Sequence, residues 1–514
     1  MKVNNKLKPI ALAVAAAVYA GAGWAGETVD LGNDLKLDWK LTGTYTASQR
    51  MKDPSPKLLA GSDGDKNFKK GDMTANRLSA LWESRLYKGG SGLVLSASTF
   101  YDAVYHQKNA NDYGYAGKPV PFNEFTEQAR RYHGGYSRIL DAYAYTSFGF
   151  GEQGNATVRL GRHVVNWGEA TYMANIAAAQ GPFDGTKVGI AGTEVKDQVL
   201  PEDQISAAIE INPRLTLLAQ LQFGYHPTIV SAPGSFMSNS NVVGPGASCT
   251  GNYTGSVCGG FSRIDDDQPS DFGQWGIGSR YRVTDETEVG LYFLNYKERN
   301  PSVDIDFGTG KYRIKYFDNV KLLGSTVSTT FGPVSAYGEY TFRDGTPVMV
   351  GVTNTPTRAK VSQLNIGGFY NIGRTAIADQ VQLLGEFAAT KVHSITPGVP
   401  TGYPLPPSTS NSFRTDSSLA FSGTLVLGYP GISEGWDLTV PISYSHQLRG
   451  RALQGSVGGQ GERRYSVGAS FVYRGNLALG VTYQGYLGSA STDARANRLW
   501  ADRDQLSLTA KYTF

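Results

Sequence analysis

Hydrophobic and polar residues alternate with period two along most of this chain. The clearest instance is the last segment, Asp504 to Phe514. Leu506, Leu508, Ala510, Tyr512 and Phe514 share one parity, and Gln505, Ser507, Thr509, Lys511 and Thr513 share the other. Successive side chains of a strand point to opposite faces, so this is a strand with one apolar and one polar face. An alternating terminal strand ending in Phe is the kind that closes an outer-membrane barrel, apolar face to lipid and polar face to a wet lumen. A soluble sheet that buries the apolar face is the other reading of the segment taken alone.

The same alternation marks strands at Leu35 to Ala47, Arg77 to Tyr87, Gly92 to Tyr105, Leu140 to Phe150 and Ala156 to Val165. It continues at Ile205 to Ile211, Leu215 to Tyr225, Trp275 to Val283, Thr287 to Lys297, Val320 to Phe331 and Val334 to Phe342. The remaining segments are Val361 to Ile372, Ile377 to Lys391, Leu419 to Gly428, Trp436 to Ser445, Arg464 to Tyr473 and Leu477 to Tyr486. The connections alternate between short and long throughout. Turns such as Asn212-Pro213, Gly332-Pro333 and Arg474-Gly475-Asn476 are followed by long polar gaps. Outer-membrane barrels have short periplasmic turns and long extracellular loops. The pattern therefore predicts an all-β fold, a transmembrane antiparallel β-barrel of about eighteen strands, within a range of fourteen to eighteen. A propeller would repeat every ~40–45 residues, and no such period is present.

The N-terminus adds the compartment. Lys2, Lys6 and Lys8 precede the apolar run Ile10 to Ala20 and the small residues of Gly23-Trp24-Ala25, which reads as a signal peptide over 1–25 followed by the barrel at 26–514. No later apolar run is long enough for a membrane helix. The expected location is the bacterial outer membrane. Composition agrees: 30 Tyr, 22 Phe and 63 Gly suit aromatic girdles and tight turns. The mean hydropathy of −0.29 fits a wide barrel in which one residue in two faces lipid. A net charge of +4 gives no support to nucleic-acid binding. Cys249 and Cys258 share one Gly/Ser/Asn-rich loop and read as a disulfide; half of a metal site is the alternative, without partners in the sequence.

Parity also sorts the chemistry. Trp82, Leu215, Leu217, Trp275, Leu291, Trp436, Tyr465, Phe471, Leu477 and Tyr512 fall on the lipid parity. Arg77, Glu83, Arg85, Asp141, Tyr143, Tyr145, Arg159, His163, Glu210, Gln220, Gln222, Arg280, Arg282, Glu288, Arg464 and Lys511 fall on the other, where a charge avoids the cost of facing lipid. Basic groups outnumber acids there, which favours anionic or amphipathic solutes; a paired charge network filling the lumen is the alternative. In the hairpin of Leu140 to Phe150 with Ala156 to Val165, pairing sets Asp141 near His163 and Tyr145 near Arg159. Arg162 falls on the lipid parity, at an interface or a bulge. The gap from Asn166 to Asp203, rich in Ala and Gly with a helical look at Ala170 to Ala179, is expected to fold inward after the fifth strand and narrow the pore. An extracellular cap is the other possibility. Asp141, Tyr143, Tyr145, Arg159, His163, Glu169, Arg280 and Arg282 are the candidate constriction residues, with Glu169 expected to reach Arg159, Arg280 or Arg282. Tyr512 and Phe514 are the candidate assembly signal.

Several stretches resemble a proteobacterial outer-membrane family recorded only as a domain of unknown function. They are Lys69-Lys70-Gly71-Asp72, Ile139-Leu140-Asp141-Ala142-Tyr143, Arg159 to Glu169 with Val-Val-Asn-Trp-Gly-Glu, Leu200-Pro201, and Asp502-Arg503-Asp504. The resemblance implies a large barrel linked to handling of hydrophobic or aromatic compounds. The cysteine loop is not part of it.

Enzymatic chemistry finds little footing. Gly431-Ile432-Ser433-Glu434-Gly435 matches G-x-S-x-G but lies in a turn between strands, where a nucleophile elbow needs a strand–turn–helix context. Six His are present, and only His446, near Ser443 and Ser445, offers a hydrolase pairing. Asp265-Asp266-Asp267 reads as a solvated acidic loop or a weak surface cation site. No cofactor motif occurs. The expectation is a passive outer-membrane channel for small amphipathic, hydrophobic or aromatic solutes, with outer-membrane lipid, lipopolysaccharide and the barrel-assembly machinery as partners. The alternatives are a plugged surface or envelope-assembly protein and, further off, an outer-membrane hydrolase.

Overall fold

Period-two segments pair with their neighbours in chain order, and the last returns to the first. In the computed structural model, which describes residues 26, 28–350, 355–396, 415–451, 457–493 and 495–514, eighteen antiparallel strands close a ring. They are β1 Lys36–Arg50, β2 Met73–Lys88, β3 Ser91–Asp102, β4 Ser137–Phe150, β5 Gly154–His163 and β6 Glu202–Asn212. Next come β7 Leu215–Gln222, β8 Gln274–Arg282, β9 Thr287–Tyr296, β10 Val320–Phe331, β11 Val334–Val350 and β12 Thr355–Gly373. The ring ends with β13 Gln380–Ile395, β14 Ser417–Ser433, β15 Trp436–Arg449, β16 Arg463–Tyr473, β17 Leu477–Leu487 and β18 Gln505–Thr513. β18 pairs with β1 from Thr42↔Thr513 to Arg50↔Gln505, and Phe514 donates its N–H to Leu41 O at 2.9 Å. A short strand, Val29–Asp30, pairs with the start of β1. The signal peptide expected over 1–25 lies outside the described residues.

Parity behaves as the alternation requires. On β1, Thr42, Thr44, Thr46, Ser48 and Arg50 are buried, while Tyr45 between them is 45 % exposed. Leu291, Leu323, Ile366, Phe387 and Leu508 are exposed on the outer parity. Aromatics edge this band at both ends: Trp436 with Tyr473 and Tyr512 with Phe514 near the short turns, Tyr465 with Tyr483 near the long loops. A closed, even-stranded barrel with an apolar outer band and aromatic girdles is a bacterial outer-membrane protein.

Two local expectations need correction. The stretch after Phe342 reads as a loop but continues as strand: β11 runs to Val350 and β12 restarts at Thr355. A bulge between Asp344 and Thr346 absorbs Gly345 at φ +93°. The helical look of Ala170 to Ala179 reduces to one 3₁₀ turn, Ile176–Ala179. The cysteines are bonded, as expected; Cα atoms 5.7 Å apart close a small hairpin of Tyr253–Thr254 and Val257–Cys258.

Candidate functional site

The polar parity of the wall carries two glutamates that the sequence reading passed over. Glu339 on β11 and Glu386 on β13 are both fully buried. Each accepts three backbone N–H groups from one stretch of the 164–201 connection. Glu339 takes Glu169 N at 2.5 Å, Ala170 N at 3.0 Å and Ile176 N at 2.6 Å. Glu386 takes Thr171 N at 2.6 Å, Tyr172 N at 3.2 Å and Met173 N at 2.9 Å. A carboxylate is acceptor-only when ionised, so a run of converging N–H donors satisfies it without a cation. Asn365 on β12 lies between them and donates to Met173 O at 2.7 Å and to Glu386 at 2.9 Å. Tyr337 donates to Glu386 at 2.6 Å. Thr341 and Arg343 hold Asn175.

Apolar contacts complete this seat. Trp167 stacks on Tyr292 of β9, and Ile176 and Ala179 join Leu294, Val320 and Leu322 in one buried cluster. Glycines make the room: a β-carbon on Gly276 would stand 2.9 Å from the Trp167 ring, and one on Gly324 2.9 Å from Ile176 Cδ1. Residue 172 reaches one strand further, its hydroxyl donating to Thr424 of β14 at 2.6 Å.

The later part of the connection is fastened to the opposite arc. Thr46 donates to Ala191 O and Gln505 to Gly189 O. Glu194 pairs with Lys511 at 3.0 Å, and Lys196 with both Glu83 and Asp141 at 2.9 Å. Arg138 pairs with Asp184 at 2.7 Å and Asp197 at 2.9 Å, and Lys187 with Asp197.

The residues expected from sequence separate into two patches. On β4 and β5, Tyr145 stands opposite Arg159, the Tyr143 and His163 rings are 5.2 Å apart, and Arg159 lies 6.0 Å over the Tyr143 ring. His163 bonds Ser206 at 2.7 Å, and Asp141 bonds Ser96 and Lys196. On β8, Arg280 donates to Trp167 O at 3.1 Å and Tyr292 Oη at 3.2 Å, and faces Glu288 at 3.9 Å. Arg282 and Glu169 line a cavity of about 470 Å³ with Asp285, Glu286 and Glu288, beside a short turn. Among the described residues no ion pair joins the patches, and Glu169 does not reach Arg159. Burial pushes the Glu169 carboxyl up, against the pull of Arg280. Arg162 is on the outer parity, as the alternation requires, and pairs with Asp203 at 2.9 Å. Inward charges on the strands are paired in part: Arg85 pairs with Asp38 at 3.6 Å, whereas Arg77 and Arg159 lie over the Phe100 and Tyr143 rings with no ion pair among the described residues. The Gly431–Gly435 motif sits in the β14–β15 turn, Ser433 opposite Trp436.

The β15–β17 arc of the inner wall receives no side-chain hydrogen bond from 164–201 among the described residues. Ser443, Ser445, Ser466, Thr482 and Gln484 face a cavity of about 400 Å³ whose other side is Gly189 to Gly192.

The model of the family described as "Protein of unknown function (DUF1302)" matches residues 6–514. No curated protein matches the chain. Among solved structures, OccAB1 of Acinetobacter baumannii is 11 % identical, with a TM-score of 0.46 over 95 % of this chain and 99 % of that one. OccK5 (OpdH) of Pseudomonas aeruginosa is 11 % identical, with a TM-score of 0.44 over the same shares.

Proposed function

We propose that this chain, which belongs to the DUF1302 family, is a passive outer-membrane channel whose bore is narrowed by residues 164–201 folded inward. The observation that carries this reading is the division of the inner wall. The segment is bonded to β7 and β8, stacked on β9 through Trp167, bonded to β11 through β14, and then to β18 and β1 through β4. It leaves the β15–β17 arc facing open space. A solute would pass between that arc and the Gly189–Gly192 turn. The charges of that arc are Arg464, which pairs with Glu462 at 2.6 Å, and Asp437, which accepts the Gly431 N–H at 2.8 Å beside the short turn. Such a strip binds weakly through hydroxyls and suits small amphipathic molecules, including aromatic or lipid-like ones, better than strongly charged ones. Tyr143, Tyr145, Arg159 and His163 would border the lumen, Asp141 would hold the segment through Lys196, and Glu169, Arg280 and Arg282 would frame the periplasmic exit.

Planar-bilayer recording tests this reading. Purified protein should give discrete conductance steps. Ser466→Trp, which fills the bare arc, should lower them severalfold while the heat-modifiable folded form stays normal. Persistent silence of the wild-type protein would mean a plugged barrel and defeat the channel reading. Unchanged steps in Ser466→Trp would defeat the assigned path.

A further inference from the structure

The outer surface of β15 and β16 changes character in register. Ile442 stands opposite Val467, Tyr444 opposite Tyr465, and His446 opposite Arg463. All six share the outer parity, so the face runs from apolar to aromatic to basic toward the long loops. That is the sequence of surfaces met on leaving hydrocarbon for the headgroup layer. Arg463 is exposed, and its side chain has no hydrogen bond or ion pair among the described residues.

A second arginine arrives from another element. Arg498, in the β17–β18 connection, is positioned by its Nε–H bond to Ser489 O at 2.7 Å. The point where a β-carbon would sit on Gly488 lies 3.7 Å from Arg498 Nε and 3.9 Å from Arg463 Nη2. Gly488 has no side chain to fill that space, and its φ of +93° disfavours one. Two guanidinium groups thus flank one gap at headgroup depth. The carboxylate beside them in sequence, Glu462, is buried and committed to Arg464 at 2.6 Å. Glu462 and Asp493 lie near enough to feel the charge of Arg498, but neither guanidinium is in an ion pair among the described residues, and two such planar forks can grip a multivalent oxyanion.

We infer that Arg463 and Arg498 bind a phosphate of an anionic outer-leaflet glycolipid, its acyl chains lying along the Tyr465–Tyr483 and Val467 surface. The lipid is preferred over free phosphate because the gap opens onto the apolar band: Tyr465 and Tyr483 stack at 6.0 Å directly below it. Basic groups at a membrane surface recognise headgroups in this way.

Native mass spectrometry of the full-length barrel in detergent, with added bisphosphorylated lipid A, is the test. Wild-type protein should retain one lipid more strongly than it retains the dephosphorylated form. Arg463→Ala with Arg498→Ala should weaken retention about 30-fold, at ~1 kcal/mol per arginine. The double lysine variant should keep part of it. Equal retention of bisphosphorylated and dephosphorylated lipid by the wild type would overturn the proposal, whether or not the variants fold. Displacement of the lipid by millimolar inorganic phosphate would reduce the site to one for free anion and overturn the lipid assignment.

Discussion

Glu339 and Glu386 are buried side chains with no ion pair among the described residues, and their charge is met by backbone N–H groups. This makes them more consequential than the arginines. Replacing Glu386 with Ala would leave five donors facing an empty space, three backbone N–H groups together with Asn365 and Tyr337, at about 1–3 kcal/mol for each left unsatisfied. Glu386→Ala is therefore expected to raise single-channel conductance and open-state noise while folded yield stays near normal. An unchanged trace would show that the seat does not depend on this carboxylate. Glu169→Gln should be milder, because it is the Glu169 backbone that is bonded while its side chain has no hydrogen-bond partner among the described residues. Both anchors sit on the inward parity of strands the alternation marks, so an acid in mid-strand was a legible sign of something inside to meet it. What alternation cannot give is which loop comes to it, since the partners are 164–176 and 339 or 386, far apart in sequence.

Elements were legible where chemistry and period agree, and misread where turn residues serve another purpose. Asp344-Gly345-Thr346-Pro347 carries the signals of a hairpin turn, yet Gly345 forms a bulge and Pro347 pairs with Arg358 in a continuing ladder. The resulting extension buries Val348, Val350, Ala359 and Val361 against Val392. The cysteine loop was easier, because two cysteines nine apart in an exported chain have few other uses. Its hairpin is an appendage to the β7–β8 connection. Cys249→Ser with Cys258→Ser should cost that loop ~3 kcal/mol of ordering and speed its proteolysis. The barrel's heat-modifiable form should persist. Loss of that form instead would mean that the loop supports the wall.

At the scale of the whole molecule, closure rests on β18, bonded to β17 on one side and β1 on the other. Removing Phe514 takes away the N–H to Leu41 O and the ring that packs on Tyr512 at 4.7 Å. Deletion of Phe514 is expected to reduce the folded fraction on a gel severalfold, and full yield would separate ring closure from this residue. The closed ring also fixes an order of events. Residues 164–201 depart after β5 and return at β6, which are neighbours, but their anchors are β11, β13, β18 and β1. Those anchors form no complete seat until the final strand has zipped onto the first, and drawing distant groups together earlier carries the entropy of closing long loops. On the proposed channel reading, narrowing would thus be the last act of maturation. A newly closed barrel would then pass through an interval with its full bore, leaky to solutes the finished protein holds back, and whatever delays seating of the segment would lengthen that leak.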